Sequence, residues 1–364
     1  MRQATIMHDP DPTGTELLIG REMRKLASIQ IVRDIRPIEG ADSIEVISIL
    51  GWHVVSKKGE FSVGEKCVFF EVDSFLPIEE RYEFLRGSSY RKNEFMGEGF
   101  RLKTIRLRGQ ISQGLALPLT AFPEIDASSS EIDTDVTDLL RVTKWELPEV
   151  QGTFGTAAGP FPAWVSKTDE TRIQSAEDAI EELRGNPYYI STKMDGTSVS
   201  MGRWQGEFWI AGRTRTYKDD GRSSAWDFAH KMGIVKKAEL WNKDYTVQGE
   251  FCGAGIQKNR LKLLEPQWYV FNVIDPETNR RLPLEEMLEF CRKQGLTTVP
   301  IEETGDAFDY TLDTLLQRAE GTYSSGMAKE GIVVRSTHPR YSAALCGDLS
   351  FKVINNRFLL KDES

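Results

Sequence analysis

Lys193, Met194, Asp195 and Gly196 form the stretch of the chain whose residue types and spacing point most directly to chemistry. They follow an apolar, aromatic run at 188–190 that predicts a β-strand. A lysine at a strand end can serve as a nucleophile, and Gly196 allows a turn and the close approach of a ligand. Asp195 is predicted to hold the lysine ammonium, to accept a hydrogen bond from a bound sugar, or to cap a turn. Alone, the four residues are more typical of a solvated surface turn.

Further motifs follow the lysine in a fixed order along the second half of the chain. They lie at 212–215, 249–251, 269–273, 329–334 and 350–353. An ordered set of this kind is far more specific than any single short motif. The set resembles that of the covalent nucleotidyltransferases, which comprise the polynucleotide ligases and the mRNA capping enzymes. The resemblance covers roughly residues 185–360.

The resemblance implies a place for each motif residue around a bound nucleotide. Lys193 would attack the α-phosphorus of ATP, release pyrophosphate and carry AMP as a phosphoamide. Asp195 and Gly196 would bind the nucleotide, and Arg213 would engage its ribose or a phosphate through its fork of donors. Phe271 would stack on adenine, although an aromatic residue in so apolar a strand is also typical of a packed core.

Two glutamates and a lysine complete the implied site. Glu250 would contact the ribose hydroxyl or a metal-bound water, and with Glu330 it would hold Mg²⁺ or Mn²⁺, an ion that keeps several of its waters. Lys352 would act as a counter-charge to the α-phosphate. Some relatives carry a second lysine two residues further on, which this chain lacks. Lys361 or Arg357 are the candidates to replace it.

The reactivity of a lysine nucleophile depends on its pKa, which is about 10.4 in a free side chain. Lowering the pKa to about 7–8 requires some 4 kcal/mol of differential interaction. Nearby cations and a divalent metal ion provide such an interaction, whereas an adjacent carboxylate acts in the opposite direction. We therefore expect basic groups close to Lys193.

Short β-branched runs alternate with turn signals through the first third of the chain. Strands are predicted at 29–32, 44–49, 52–55, 66–70, 100–105 and 113–117, with a loop at 86–99. Such close spacing favours an antiparallel barrel or sandwich over βαβ units. A barrel of about five strands suits an OB-fold, which binds oligonucleotides on one face.

Three motifs in this region, at 51–55, 72–77 and 107–115, resemble the N-terminal OB module of one group of RNA ligases. In that group the OB domain precedes the catalytic domain, whereas DNA ligases and capping enzymes usually carry it afterwards. We predict a flexible tail at 1–22, an OB-fold domain at 23–120, a linker at 121–165 and a nucleotidyltransferase domain at 166–364. The linker is acidic and rich in Ser, Gly and Pro, with one short helix predicted at 135–141.

The second half of the chain mixes strand and helix patterns. Strands are predicted at 188–193, 198–204, 208–211, 246–251, 268–274, 332–335 and 350–354, and helices at 176–183, 225–238, 284–294 and 311–319. Sheets with segregated helices define an α+β fold, here a ligase-type adenylyltransferase domain of antiparallel sheets with flanking helices. We expect the nucleotide pocket to lie wholly within 185–360.

Composition describes an ordinary globular protein of 364 residues, with 40% hydrophobic and 28% charged residues. A membrane-spanning helix needs about 20 apolar residues in succession, and the sequence contains no such run. The four cysteines and four histidines show no metal-ligand or disulfide spacing. We therefore expect a monomer in the reducing cytoplasm, with no membrane partner.

The net charge of −9 argues against nucleic-acid binding only if the charge is evenly spread, and it is not. Basic residues cluster in several short segments. The cluster at Arg101, Lys103, Arg106 and Arg108 is the candidate for contacts with the RNA backbone. A basic groove on an acidic body fits this distribution.

The function that these features favour is an ATP-dependent RNA ligase. It would join 3′-OH and 5′-phosphate ends of RNA, in nicked or broken duplexes, through a lysyl-AMP intermediate and an adenylylated 5′ end. One alternative is a DNA ligase or a GTP-using capping guanylyltransferase, and another is a non-catalytic OB-type nucleic-acid-binding protein. Retention of Lys193, Glu250, Glu330 and Lys352 argues against the last.

Overall fold

The structure, a computed structural model, describes residues 24–146, 155–275 and 277–362. The predicted tail at 1–22 and part of the predicted linker, 147–154, lie outside these residues. The N-terminal strands are β1 (Ala27–Ile31), β2 (Asp34–Pro37), β3 (Ile44–Ile49), β4 (Trp52–Lys57), β5 (Lys66–Phe70), β6 (Ser74–Leu76), β7 (Tyr90–Asn93), β8 (Gly97–Arg101), β9 (Ile105–Leu107), β10 (Gln110–Ser112), β11 (Leu115–Pro118) and β12 (Thr143–Lys144). Helix α1 (Arg86–Ser89) follows a 3₁₀ turn at Glu80–Leu85, and a second 3₁₀ turn spans Leu119–Ala121.

These strands build an OB-type barrel from small antiparallel sheets. The sheet orders are β1–β5–β11, β2–β3–β4, β12–β6–β8–β7 and β9–β10. In β4, Trp52, Val54 and Ser56 are buried while the residues between them are partly exposed, which is the period-two pattern of a strand with one face in a core. The buried residues Ile29, Val68 and Phe70 pack inside the barrel.

Two local predictions in this region are wrong. The predicted loop at 86–99 contains α1, β7 and most of β8, because Tyr90 and Phe100 anchor these elements on the barrel core. The helix predicted at 135–141 is a series of turns, since the chain there pairs with β1 and buries Val136 and Leu140 in the same core. Tertiary packing overrides local propensity at both places.

The second half of the chain contains the remaining elements. Its strands are β13 (Ala157–Pro160), β14 (Thr171–Arg172), β15 (Tyr188–Lys193), β16 (Thr197–Trp204), β17 (Glu207–Ala211), β18 (Arg215–Tyr217), β19 (Thr246–Cys252), β20 (Gln267–Asp275), β21 (Arg280–Arg281), β22 (Thr297–Thr298), β23 (Ile301–Gly305), β24 (Gly331–Ser336), β25 (Tyr341–Ser342), β26 (Gly347–Asp348) and β27 (Ser350–Ile354). Its helices are α2 (Asp178–Leu183), α3 (Ser224–Lys231), α4 (Ile234–Glu239), α5 (Leu284–Gln294), α6 (Leu312–Arg318) and α7 (Asn356–Asp362), with a 3₁₀ turn at Ile173–Ser175.

Two sheets organise this α+β domain. The large sheet has the order β13–β18–β17–β16–β19–β20–β21, with β22 also paired to β20, and the small sheet has the order β14–β27–β24–β15–β23. Helices α3, α4 and α5 cover one face of the large sheet, while α2 and α6 cover the small sheet. The helix predicted at 225–238 is two helices, because Gly233 adopts a left-handed conformation with φ of 67° and starts a new helix.

The two domains are in close contact. The amide of Gly51 donates to the carbonyl of Gln174 at 2.9 Å, and a Cβ at Gly51 would lie 2.9 Å from the Gln174 Cα. Arg33 pairs with Glu177 across the same boundary at 2.7 Å. The interface at Gly51 therefore has no room for even a methyl group.

The four cysteines are all free thiols. Cys67, Cys252 and Cys291 are buried, and burial raises the pKa of each thiol, to about 12 for Cys67 and Cys291. Cys346 is exposed. None of the helices in the described part of the chain is both long enough and apolar enough to cross a membrane.

Candidate active site

Lys193 lies where the chain passes from one sheet to the other. It is the last residue of β15 in the small sheet, where it pairs with Gly331 of β24. Residues 194–196 then carry the chain into β16 of the large sheet. The crossing opens a pocket of about 380 Å³ between the sheets. The predicted nucleotide-site residues that line this pocket are Lys193, Asp195, Gly196, Arg213, Glu250, Phe271, Glu330 and Lys352.

The ammonium of Lys193 pairs with a carboxylate at the start of β24. Lys193 Nζ lies 2.8 Å from Glu330 Oε1, and the two side chains are only 23% and 20% exposed. The buried hydroxyl of Tyr323 donates to the Lys193 carbonyl at 2.8 Å and accepts from the Glu330 amide at 3.0 Å. Tyr323 therefore fixes the backbones of both partners, and with them the spacing of the pair.

The surroundings of Lys193 favour its protonated form. Burial lowers the pKa of Lys193, but the carboxylates of Glu330, Glu250 and Asp195 outweigh burial, so that the pKa is raised above its usual value. This is the opposite of what a nucleophilic amine needs. The amine becomes reactive only once these negative charges are compensated.

Glu250 forms the acidic wall of the pocket together with Glu330. It lies on β19 opposite Ser198 of β16, with its side chain in the pocket. Burial, with a smaller contribution from Glu330, outweighs the effect of Lys193 and raises the pKa of Glu250 to about 8. Carboxylates that repel one another in a buried site favour a cation between them.

Asp195 and Gly196 are held by contacts that the sequence did not indicate. Asp195 Oδ2 lies 3.2 Å from Arg260 Nε, so an arginine pairs with this carboxylate, which also raises the pKa of Lys193. A Cβ on Gly196 would lie 2.5 Å from the Phe251 carbonyl oxygen. The close approach that requires glycine is thus made by strand β19 of the protein itself.

Phe271 and Arg213 border the pocket on the large-sheet side. The guanidinium of Arg335 lies over the Phe271 ring, with its central carbon 5.7 Å from the ring centroid. Arg335 also donates to the Phe271 carbonyl at 2.9 Å, which holds the ring against the pocket. Arg213 pairs with Glu146, and its Nη2 lies 3.8 Å from Asp169.

Lys352 forms the basic wall. It lies on β27 between Val333 of β24 and Arg172 of β14. Burial lowers the pKa of Lys352 to about 7, helped by the positive charges of Lys193, Arg172 and Arg24 and opposed by Asp169. Buried cations that repel one another favour an anion.

Several pocket residues come from outside the range predicted for the nucleotide pocket. The expectation that the pocket lies wholly within 185–360 is therefore wrong. The additional lining residues include Arg24, Asp73, Lys144, Asp169 and Arg172. Asp73 lies 3.0 Å from Arg172 Nη2 and 3.7 Å from Arg24 Nη1, which brings the N-terminal domain into the basic wall.

The sequence did not indicate these residues, because the patterns around them are too short to predict an element or a site. Asp73 falls within the motif at 72–77, but that motif indicated only the OB module. Arg172 lies on a two-residue strand, too short for a periodicity to show. The pairing of Asp73 with Arg172 depends on domain docking, which no local pattern reveals.

The candidates to replace the missing second lysine lie elsewhere. Arg357 pairs with Glu320 at 3.1 Å and is 71% exposed. Lys361 is near the end of α7 and is exposed. Neither residue is among those that line the pocket, whereas Arg172 and Arg24 supply positive charge beside Lys352.

The four residues predicted to contact RNA lie on and next to β8, β9 and β10. Arg106 and Arg108 are exposed on the β9–β10 hairpin. The guanidinium carbon of Arg101 lies 5.3 Å from the Trp145 ring centroid, and Lys103 is half-buried in the connection to β9. The hairpin pair is thus accessible, while Arg101 is engaged within the domain.

The acidic wall suits a hydrated cation. Within residues 24–146, 155–275 and 277–362, no group of three His, Cys, Asp or Glu side chains is placed to hold a metal ion together. Mg²⁺ and similar ions use one or two carboxylates and keep several waters. The pair of Glu250, with its raised pKa, and Glu330 fits that requirement.

The chain combines an OB-type barrel with a two-sheet α+β domain, and a lysine lies in the pocket between the two sheets. This is the architecture of a nucleotidyltransferase. Comparison with known families is consistent with this class. Residues 26–119 match the model of an OB-fold domain, and residues 186–354 match that of RNA ligase. No curated protein matches the chain.

Solved structures of the Naegleria gruberi RNA ligase resemble this chain over most of its length. A lysine-to-alanine variant with ATP and Mn is 33% identical over 93% of this chain and 100% of that chain, with a TM-score of 0.86. The ligase with PPi is 34% identical over 93% and 98%, with a TM-score of 0.84. A lysine-to-methionine variant with AMP and Mn is 33% identical over 92% and 98%, with a TM-score of 0.85. The chain belongs to the RNA ligase family.

Proposed function

We propose that the chain is an ATP-dependent RNA ligase that joins 3′-OH and 5′-phosphate ends through an AMP adduct on Lys193 and an adenylylated 5′ end. The pocket supports the proposal, because its lining combines Lys193 with the carboxylates of Glu250 and Glu330 and the basic groups of Lys352 and Arg172. Such a pocket suits a triphosphate together with a divalent cation. ATP, AMP and Mn are bound in the structures of the Naegleria ligase.

The proposed reaction has three phosphoryl-transfer steps. The free amine of Lys193 attacks the α-phosphorus of ATP, forms the P–N bond, breaks the bond to the β-phosphate, and loses a proton as pyrophosphate leaves. A 5′-phosphate oxygen of RNA then attacks the same phosphorus and displaces Lys193. In the last step the 3′-hydroxyl attacks the 5′-phosphate, releases AMP and forms the phosphodiester. Positioning and charge stabilisation dominate such transfers.

The pocket supplies the charge changes that free the amine. A divalent cation, when bound, would compensate the negative charges of Glu330 and Glu250, which otherwise raise the pKa of Lys193. Lys352 and Arg172 oppose protonation of the same amine and attract the phosphates of the nucleotide. The lysine would therefore become a nucleophile once a divalent cation is bound beside these two carboxylates.

The remaining residues are proposed to orient the nucleotide. Phe271, backed by Arg335, presents its ring to the pocket and would stack on adenine. Glu250 would accept a hydrogen bond from the ribose, and Arg213 would exchange part of its pairing with Glu146 for the ribose or a phosphate. Asp195 and Gly196 set the path of the chain beneath the nucleotide.

The function is tested by label transfer and by sealing in one experiment. The protein is incubated with Mn²⁺ and α-labelled ATP, GTP or NAD, and the products are separated on a denaturing gel. We expect labelled protein with ATP alone. We also expect joining of a nicked RNA duplex with 3′-OH and 5′-phosphate ends, and no joining when the 5′-phosphate is removed. Label from GTP or NAD instead of ATP would contradict the proposal.

Binding of ATP is expected to take up a proton through Lys352. Its pKa of about 7 means that the amine is largely neutral in the apo-protein at pH 8, and phosphate oxygens nearby favour the charged form. Titration calorimetry at pH 8, in two buffers of different ionisation enthalpy, should show proton uptake. The uptake should fade below pH 6, where Lys352 is already protonated, and should be smaller in Lys352→Met. An equal proton uptake by the variant would assign the proton to another group.

A further inference from the structure

A second pocket lies beside the first on the same face of the large sheet. Its volume is about 490 Å³, and the segment at 166–171 separates it from the Lys193 pocket. Gln248 and Glu250 are two residues apart on β19, so their side chains share a face; Gln248 lines the second pocket and Glu250 the first. Thr168 lines both pockets, and its hydroxyl lies 2.8 Å from that of Ser198 on β16. A single chain segment is therefore the wall between the two pockets.

The acidic residues of the second pocket have partners within the protein. Asp348 pairs with Arg281 at 2.6 Å, and Glu170 pairs with Arg335 at 2.7 Å. The third acidic residue, Asp169, lies 3.7 Å from Lys144 Nζ and 3.8 Å from Arg213 Nη2. Arg281 is only 9% exposed, and its Nη2 atom is buried with no hydrogen bond to the described residues. Buried donors in native proteins are nearly always bonded, so this nitrogen is one unmet donor in the pocket wall.

The basic residues of the rim are not compensated in this way. Lys167, Arg280 and Arg340 line the pocket and are exposed. Within the described part of the chain, none of the three forms an ion pair. The pocket therefore carries an excess of positive charge on a chain whose net charge is −9. Such a local excess attracts polyanions.

An exposed aromatic ring stands on the same rim. Tyr341 is 74% exposed on the short hairpin of β25 and β26 and lines the pocket next to Arg340. Asn272, on the floor, has a buried Oδ1 without a hydrogen-bond donor among the described residues. Positive charge combined with an accessible aromatic face is the recognition mode for single-stranded nucleic acid.

We propose that this second pocket binds the RNA strand, with backbone phosphates at Arg280, Arg340 and Lys167 and one unpaired base stacked on Tyr341. The inference rests on the proposed function, which it deepens by locating part of the RNA site. The pocket shares a wall with the Lys193 pocket, so a strand seated there enters the active site across the segment at 166–171. A concave pocket of this size admits a single strand.

Binding of a fluorescent single-stranded RNA at several salt concentrations tests the proposal. Arg280→Ala and Arg340→Ala should each weaken binding and reduce the log–log salt slope by about 0.7. Tyr341→Ala should weaken binding at least about fivefold with the slope unchanged, and Tyr341→Phe should bind like the wild type. Lys236→Ala, on the exposed side of α4, is the matched control and should change neither quantity.

Adenylylation without RNA and thermal melting are measured on the same samples. All these variants should match the wild type in both, because their side chains lie outside the Lys193 pocket. Wild-type affinity and salt slope in both arginine variants would overturn the proposal, as would displacement of the RNA by an equimolar amount of free AMP. Wild-type protein that binds RNA as expected but takes no label from ATP would contradict the ligase function and leave the assignment of the pocket intact.

Discussion

Replacing Lys193 with methionine is expected to reduce transfer of labelled AMP from ATP to background. Methionine retains the length of the side chain but removes the only atom that can form the phosphoamide in the proposed reaction. In the wild type, mass spectrometry of digested protein should place one added AMP on the peptide containing Lys193. An adduct on any other lysine would contradict the assignment of the nucleophile.

A substrate that bypasses the first step distinguishes loss of the nucleophile from loss of the folded structure. RNA whose 5′ end already carries AMP needs no enzyme adduct, so Lys193→Met should still join it to a 3′-OH end. Lys236→Met, which changes an exposed lysine of α4, should behave as wild type in both assays. Failure of the Lys193 variant with both substrates, together with a lower melting temperature, would instead indicate a structural role.

Replacing Glu330 with glutamine is expected to have the second largest effect. Loss of a positioned charge in such a site costs about 2–4 kcal/mol of transition-state stabilisation, roughly 30- to 1,000-fold in adenylylation rate. Glu330 is also the carboxylate that most raises the pKa of Lys193. The variant should therefore have a lower pKa at Lys193, and its rate should reach a plateau at a lower pH than that of the wild type.

These two readouts distinguish the possible roles of Glu330. A slow reaction with a pH profile shifted to lower pH indicates both binding of the cation and control of the lysine. A shifted profile at the wild-type maximal rate would leave Glu330 as a charge partner only. Glu286→Gln, on the exposed face of α5, removes one carboxylate from the same domain and should leave rate and profile unchanged.

The sequence predicted the elements that carry strong local patterns. Lys193, Glu250 and Lys352 lie on strands of at least five residues whose apolar residues mark them clearly. Their motifs therefore indicated both the elements and the residues that face the pocket. The predicted roles of these residues remain predictions that the variants above address.

Local sequence patterns could not predict the contacts between distant segments of the chain. The basic wall depends on the pairing of Asp73 with Arg172 and on Arg24, which domain docking brings together. The raised pKa of Lys193 was hidden in part, because Asp195 is adjacent in sequence whereas Glu330 and Glu250 lie on distant segments. The loop prediction at 86–99 failed for a related reason: two aromatic anchors, far apart in a polar stretch, are enough to hold a strand pair on a core.

The docking of the barrel onto the catalytic domain restricts which amino-acid substitutions each domain can accept. Each half matches its own family model, so each resembles an exchangeable module. Yet Asp73 of one half neutralises Arg172 of the other, and Gly51 touches the backbone at Gln174. A barrel without an acidic residue at position 73 would leave Arg172 without this partner, and one with a side chain larger than glycine at position 51 would collide with the backbone at Gln174. Substitutions on either side of this interface are therefore limited by the facing surface of the other domain.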